Sequence, residues 1–387
     1  MTFALAGARI FDGEQFHDGY AVVVEGERIA DVVPESALPS GRDTRRVEGL
    51  LAPGFLDIQV NGGGGVLFND QRSAEGVRTI GRAHRRFGTT GFLPTFITDT
   101  GERMAEAVAA CGEALRLKVP GVLGVHLEGP FISPERKGVH DVAFIRAIEE
   151  ADMSIMTGLE GGLTLVTLAP EMVPMETIAR LTAAGVVVAA GHTRADYAVL
   201  REARGQGLTG FTHLYNAMPP LQSREPGPVG AALDDPDCWP SLIVDFHHVS
   251  APSLRVAIAA KGTDRMILTT DAMASVGSDL TTFDLQGRTV FRRDGGLTTA
   301  DGTLAGSDLD MASAVRNTVR VLGVPLEAAL RMASHNPAAF LGLSGELGRI
   351  VSGYRAGLVL LDEDFGVRAT WIDGQGESYE EGKRVSG

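Results

Sequence analysis

Eight short apolar runs recur between residues 54 and 271, most of them closing on polar residues: GFLDIQV (54–60), GFLPTFI (91–97), GVLGVHLE (121–128), LTLVTLA (163–169), GVVVAAGH (185–192), LTGFTH (208–213), SLIVDFH (241–247) and RMILTTD (265–271). Between several of them apolar residues return every three or four positions, as in AEGVRTIGRAHRRFG, RMAEAVAACGEALRL, METIARLTAAG and ADYAVLREARGQG. Apolar strands alternating with amphipathic helices predict a parallel sheet covered by helices. Eight such units in roughly 220 residues predict an α/β chain folded as a (β/α)8 TIM-like barrel. An open doubly wound sheet is the alternative, but no GxGxxG follows the first strand to favour it.

The two ends of the chain read differently. FALAGARIF, GYAVVVEG and RIADVVP, separated by Asp-Gly and Glu-Gly pairs, predict a β-meander. After the eighth run, TTFDLQGRTVFRRDGGLTTADGTLAG predicts hairpins inserted before the helix MASAVRNTVRVLG. A last helix, PLEAALRMASHNPAAFLG, closes the barrel, and the tail from GRIVSGYRAGLVLL returns to strands and turns. Neither end has enough strands for a core of its own. Residues 1–52 and 345–387 are therefore expected to form one small discontinuous β-sandwich, with 53–344 as the barrel.

Composition narrows the function. Apolar residues at 44% and charged residues at 22% describe a folded globular chain. Gly is 49 of 387 residues, nearly twice the average of roughly 7%, which suits many tight strand-to-helix junctions. The net charge of −14 argues against nucleic acid or an anionic membrane as partner. Two distant cysteines, Cys111 and Cys238, exclude a disulfide scaffold, a Cys₄ zinc site and a CxxC redox centre, and they suit a reducing cytoplasm. No secretory leader is expected from MTFALAGARIFDGEQF, and no apolar run approaches the roughly 18 residues of a membrane helix.

In a barrel of this kind the chemistry sits at the C-terminal ends of the strands. Those ends carry Gln59 and Asn61, Thr98 and Asp99, Glu128, Pro170 and Glu171, His192, His213, His247 and His248, and Asp271. Glu128, His192 and His213 match a catalytic metal shell of three protein ligands with one open position. Asp271 has the chemistry of a general base for a water molecule there. Each residue alone has an ordinary reading: a structural histidine, a turn acceptor, a helix cap. Their coincidence on one rim is what points to a site. His247 and His248, adjacent in a strand, should face opposite ways, so only one can look into the mouth.

Other motifs fail. His126-Leu127-Glu128 has the H-x-E of zinc deaminases, but no P-C-x-x-C accompanies it. HExxH, GxSxG and Walker loops are lacking. The run Gly62–Gly65 offers at most a weak anion cradle. His17, His84 and His335 fall away from the strand ends and are expected to be structural or exposed.

The segments PGFLDIQVNGGGG, HLEGPF, KGVHD, LAPE, AGHT, THLYNAMPP, REPG and TDAM, in this order over almost the whole chain, resemble the N-acetylglucosamine-6-phosphate deacetylases of the amidohydrolase superfamily. The resemblance implies hydrolysis of the N-acetyl group of N-acetyl-D-glucosamine 6-phosphate, with one divalent metal per subunit. Zinc is the first choice, and iron or cobalt would also suit an N₂O site. It implies that Glu128, His192 and His213 bind this metal and that Asp271 is the general acid and base. It further implies that His140 contacts the substrate carbonyl and that Val139, Asn216 and Ala217 contact the substrate. Arg224 and His248 would hold the phosphate, one of them across a homodimer interface, and Leu304, Ala305 and Gly306 would line the sugar pocket. Many amidohydrolases carry H-x-H after the first strand, for a second metal. Gln59 and Asn61 stand there instead, and neutral amides are poor metal ligands, so a mononuclear site is expected with both nearby but outside the ligand set. The rival readings are N-acetylgalactosamine-6-phosphate deacetylation, another amidohydrolase activity, and a catalytically dead scaffold.

Overall fold

The computed structural model describes residues 2–380 and 383–384. Eight parallel strands form one sheet in chain order: β1 (Phe55–Val60), β2 (Thr89–Ile97), β3 (Gly124–Glu128), β4 (Leu163–Leu168), β5 (Val187–Ala190), β6 (Gly210–Phe211), β7 (Trp239–Leu242) and β8 (Ile267–Leu268). The sheet closes at its C-terminal rim, where the chain leaving β8 returns to β1. Asp271 N–H donates to the Gln59 carbonyl at 3.0 Å and Asn61 N–H to the Ala272 carbonyl at 2.9 Å. The eight apolar runs are thus the eight barrel strands. In the last three the chain leaves the ladder after Phe211, Leu242 and Leu268, and the remainder of each run forms the rim.

The helices form where apolar periodicity coincides with a cap. Ser73 Oγ accepts from Gly76 N–H at 3.1 Å and starts Ala74–Arg85, which buries Val77 and Ile80. Thr100 and Asp196 cap Gly101–Arg116 and Tyr197–Gly205 in the same manner. Three helices lie outside the periodic stretches: Glu150–Met156, Gly227–Asp234 and Ala251–Lys261. The second, GPVGAALD, carries too much Gly and Pro to read as a helix and is buried along most of its length. The expected last helix is two, Leu326–Ala333 and His335–Phe340, broken at Ser334 with φ −135°. Phe340 and Leu341 join Ile58, Leu93, Leu165 and Ala189 in the apolar cluster that fills the barrel below the site.

Outside the barrel, a four-stranded sheet comes from residues 2–46, and a seven-stranded mixed sheet draws on both chain ends. Leu358–Leu361 pairs antiparallel with Leu50–Pro53, which joins them. Phe3, Leu5, Ile10, Val22, Val24, Leu51, Leu358 and Trp371 form the core of this β unit, as the sandwich expectation requires. The predicted hairpins are a three-stranded antiparallel insert, Thr282–Leu285, Arg288–Arg293 and Gly296–Thr299. Among the described residues no helix is long and apolar enough to cross a membrane.

Candidate active site

Three strand ends turn their last residue inward through the left-handed region: His192 at φ 46°, His213 at φ 36° and Asp271 at φ 54°. For non-glycine residues this conformation costs about 1–2 kcal/mol each. The strain is spent where the side chains converge. Glu128 Oε1 lies 3.0 Å from His213 Nε2 and 3.3 Å from His192 Nε2, and the two Nε2 atoms are 3.1 Å apart. All three residues are buried. His192 Nδ1 bonds the Arg136 carbonyl at 2.8 Å, which places its proton there and leaves the lone pair on Nε2. His140 stands slightly further out, its Nε2 4.0 Å from Glu128 Oε2 and its ring centroid 4.3 Å from that of His192.

Two imidazole nitrogens and a carboxylate oxygen face one another at 3.0–3.3 Å, a compact set of N and O donor atoms that one cation would satisfy. Glu128, His140 and His192 bring ligand atoms within 4.8 Å of one another and form a candidate metal triad. This triad contains His140 where the sequence reading has His213, yet His213 Nε2 is nearer to Glu128 than His140 Nε2 is. The residues present therefore fit a divalent cation with mixed N and O ligands.

The electrostatics follow from burial. Burial alone would raise the Glu128 pKa, but its bonds to His192 and His213 and their charges hold it well below the ordinary range. For His213 burial works toward the neutral ring, and Glu128 reverses it. His140 is pushed well below its usual pKa by burial first and then by His192, so it is neutral. Asp271 is raised to about 7 by burial and by the Glu128 charge, against the opposing pull of His213, His248 and Asn61. Asn61 Nδ2 donates to Asp271 Oδ1 at 2.6 Å, while Gln59 Nε2 donates to Asp271 Oδ1 at 3.1 Å and to Glu128 Oε1 at 3.0 Å. Both amides present their N–H groups to the carboxylates.

These residues open into a cavity of about 210 Å³. Its wall includes Val139, His140, Asn216, Ala217, His248, Leu304 and Gly306, as expected, and also Ile97, Gly138, Met273 and Thr303, which sequence reasoning passed over. Two expected residues are elsewhere. Ala305 is fully buried in an apolar cluster with Leu67 and Met273, because neighbouring residues of an extended segment alternate sides. Arg224 is exposed, lies outside the cavity wall, and has no hydrogen bond or ion pair within the described chain.

His248 faces the cavity and His247 is exposed, although the strand has already ended at Leu242 and the residues between are irregular. The separation comes from Asp245, whose Oδ2 bonds His248 Nδ1 at 2.7 Å. The Gly62–Gly65 run is no anion cradle. Its N–H groups at Gly62, Gly64 and Gly65 are spent on the carbonyls of Ala272, Val276 and Ala274. His84 is buried, with Nε2 on the Gly62 carbonyl at 2.8 Å.

Residues 50–376 match the amidohydrolase family and residues 2–51 match the NagA composite domain. The chain is 44% identical over 331 residues to N-acetylgalactosamine-6-phosphate deacetylase of Shewanella sp. (strain ANA-3), covering 86% of this chain and 84% of that one. It is 35% identical to N-acetylglucosamine-6-phosphate deacetylase of Haemophilus influenzae, covering 97% and 99%. Among solved structures, N-acetylglucosamine-6-phosphate deacetylase from Pasteurella multocida superposes with a TM-score of 0.94 at 35% identity, over 98% and 100% of the two chains. The chain belongs to the amidohydrolase family, in the branch that holds the N-acetylglucosamine-6-phosphate deacetylases.

Proposed function

We propose that the protein hydrolyses the acetamide of N-acetyl-D-glucosamine 6-phosphate, giving D-glucosamine 6-phosphate and acetate. The observation that carries this reading is the meeting of Glu128, His192 and His213 with Asp271 at the floor of one cavity. The donor set supports one divalent cation per subunit on Glu128, His192 and His213, zinc before iron or cobalt. A cation bound there would polarise the acetamide carbonyl and make the attacking water more acidic.

Asp271 moves the protons. The bonds from Gln59 and Asn61 both arrive on Oδ1, which leaves Oδ2 to take a proton from the attacking water. The same oxygen returns it to the sugar nitrogen as the C–N bond breaks, so the amine leaves neutral. Burial and the Glu128 charge raise its pKa above the ordinary carboxylate range, as suits a group that must serve as both base and acid. His140 Nδ1 and Thr98 Oγ1 share a hydrogen bond of 2.7 Å; in the tautomer this reading uses, the hydroxyl donates and the ring keeps its N–H on Nε2. That N–H donates to the oxyanion of the tetrahedral adduct. Val139, Asn216, Ala217, Leu304 and Gly306 wall the sugar, and His248, oriented by Asp245, meets the phosphate.

The homodimer belongs to the same proposal. Arg224, exposed and unpartnered in the single chain, is the residue one subunit would lend to the other's phosphate site. A cytoplasmic setting is supported by two free, buried thiols. Residues 1–52 and 345–387 are read as one discontinuous β unit, supported by the sheet that draws on both ends.

The 44% identical relative named for the galactosamine substrate favours a second reading, the same chemistry on the C4 epimer. Acetate release from both 6-phosphates and from unphosphorylated N-acetylglucosamine tests both. The expected order is glucosamine 6-phosphate derivative first, its epimer second and the unphosphorylated sugar last. A preference for the epimer replaces the first reading with the second, and no release from either phosphate overturns the deacetylase assignment.

A further inference from the structure

The insert that follows the eighth strand touches the site at two separate places. Its third strand, Gly296–Thr299, folds back on the segment Thr303–Ala305, with Thr299 N–H on the Thr303 carbonyl at 2.9 Å and Ala305 N–H on the Leu297 carbonyl at 3.1 Å. That segment carries Thr303 and Leu304 of the cavity wall. The other contact is made by the turn between its first two strands, Leu285-Gln286-Gly287-Arg288, where Gln286 adopts φ 52°. From this turn Gln286 Nε2 donates to the Thr98 carbonyl at 2.7 Å, and the Arg288 guanidinium donates to the Val139 carbonyl.

Those two carbonyls flank one catalytic group. Thr98 is the residue whose hydroxyl bonds His140 Nδ1, and Val139 immediately precedes His140 in the chain. Apolar packing supports the same contact: Leu285, Val290 and Leu297 of the insert share a cluster with Ile97 and Val139. Arg292 ties the far side of the insert to Asp308 at 2.6 Å. His140 itself lies on the segment between the helical turns Pro134–Arg136 and Val142–Phe144, outside any barrel strand. Nothing in the strand ladder fixes its ring as it fixes Glu128.

We infer that Gln286 and Arg288 are positioning residues that hold His140 at the reacting carbonyl, through Thr98 and Val139. The inference rests on the deacetylase reading, in which His140 stabilises the oxyanion. Small displacements of such a donor are costly in rate and cheap in ground-state binding, since the oxyanion exists only on the way to product.

The test uses the metal-loaded full chain with Gln286→Ala, Arg288→Ala, the double variant, and Arg288→Lys as the conservative rescue. Arg293→Ala, an exposed position on the same insert, serves as control. Steady-state kinetics on N-acetyl-D-glucosamine 6-phosphate are combined with metal content and hydrogen exchange. The double variant is expected to lose about tenfold in kcat with KM within about twofold, less than the roughly 10²–10³-fold lost when an oxyanion donor is removed outright. Metal content stays at the parental value, exchange accelerates in residues 137–145 and not in the barrel strands, and Arg288→Lys restores most of the rate. Three results overturn the inference: kcat within twofold of the parent, unchanged exchange in residues 137–145, or faster exchange spread through the whole barrel. If the parent protein releases no acetate, the deacetylase reading fails first, and the exchange arm alone still decides whether the turn braces the His140 segment.

Discussion

The two ends of the cavity are built on different plans. At the floor, Glu128, His192 and His213 are buried and Asp271 is half-buried, and all four are bonded to one another or to Gln59 and Asn61 within one chain. At the outer end, His248 has one carboxylate behind it, and Arg224, outside the cavity wall, stands in solvent with no hydrogen bond or ion pair among the described residues. The floor is made from strand ends, where the closed barrel fixes geometry. The outer end is made from loops. Rate should therefore depend on the floor, and affinity for the phosphate on the outer end.

The largest effect that would sharpen this contrast comes from the ligands. Glu128→Ala or His213→Ala should abolish stable metal binding and reduce turnover below detection, measured by elemental analysis beside acetate release. Retention of metal by His213→Ala at the parental level would move the ligand set toward the Glu128, His140 and His192 triad. Next comes the outer end. Arg224→Ala should raise KM and leave kcat within a few fold, lowering kcat/KM by about 10–100-fold, as for one charge-assisted bond of ~1.5–3 kcal/mol. The loss should vanish with the unphosphorylated sugar. A fall in kcat at unchanged KM would break the division of labour.

Smaller still is Asp245→Asn. The Asp245 pKa is raised by burial, but its bond to His248 and the charge of that ring pull it below the ordinary range. That bond orients the His248 ring toward the cavity. The variant weakens it and should raise KM a few fold. The mildest test is the pH profile. Asp271 must be ionised to accept a proton, so kcat/KM should fall as pH drops through its pKa. That pKa is about 7 with no cation bound, and a bound cation lowers it, so the acid limb should fall below pH 7.

The same contrast explains what could be read from the sequence. Each of the eight strands shows as an apolar run bounded by turns, and the floor residues are the polar letters that end those runs. Asp271 is visible because the eighth run stops on a carboxylate at the same rim where the third, fifth and sixth runs stop on Glu128, His192 and His213. The outer end has no such periodicity. Ala305 reads as a wall residue beside Leu304 and Gly306 because a loop in sequence does not show which side each residue faces. Asp245, Gln286 and Arg288 act through other residues, across separations of up to 188 in the chain, and no local pattern marks them; Thr98 stands at a strand end, but its bond to His140 does not show in the sequence. The helix Gly227–Asp234 escaped for a different reason: its Gly and Pro content speaks against a helix, and tertiary burial overrides it.

The most direct test of the central claim is acetate release from N-acetyl-D-glucosamine 6-phosphate by Asp271→Asn, beside its metal content. The account predicts parental metal content and a rate lowered by about 10²–10⁴-fold, the share a positioned general base supplies. Release at near the parental rate by the metal-loaded variant would contradict it.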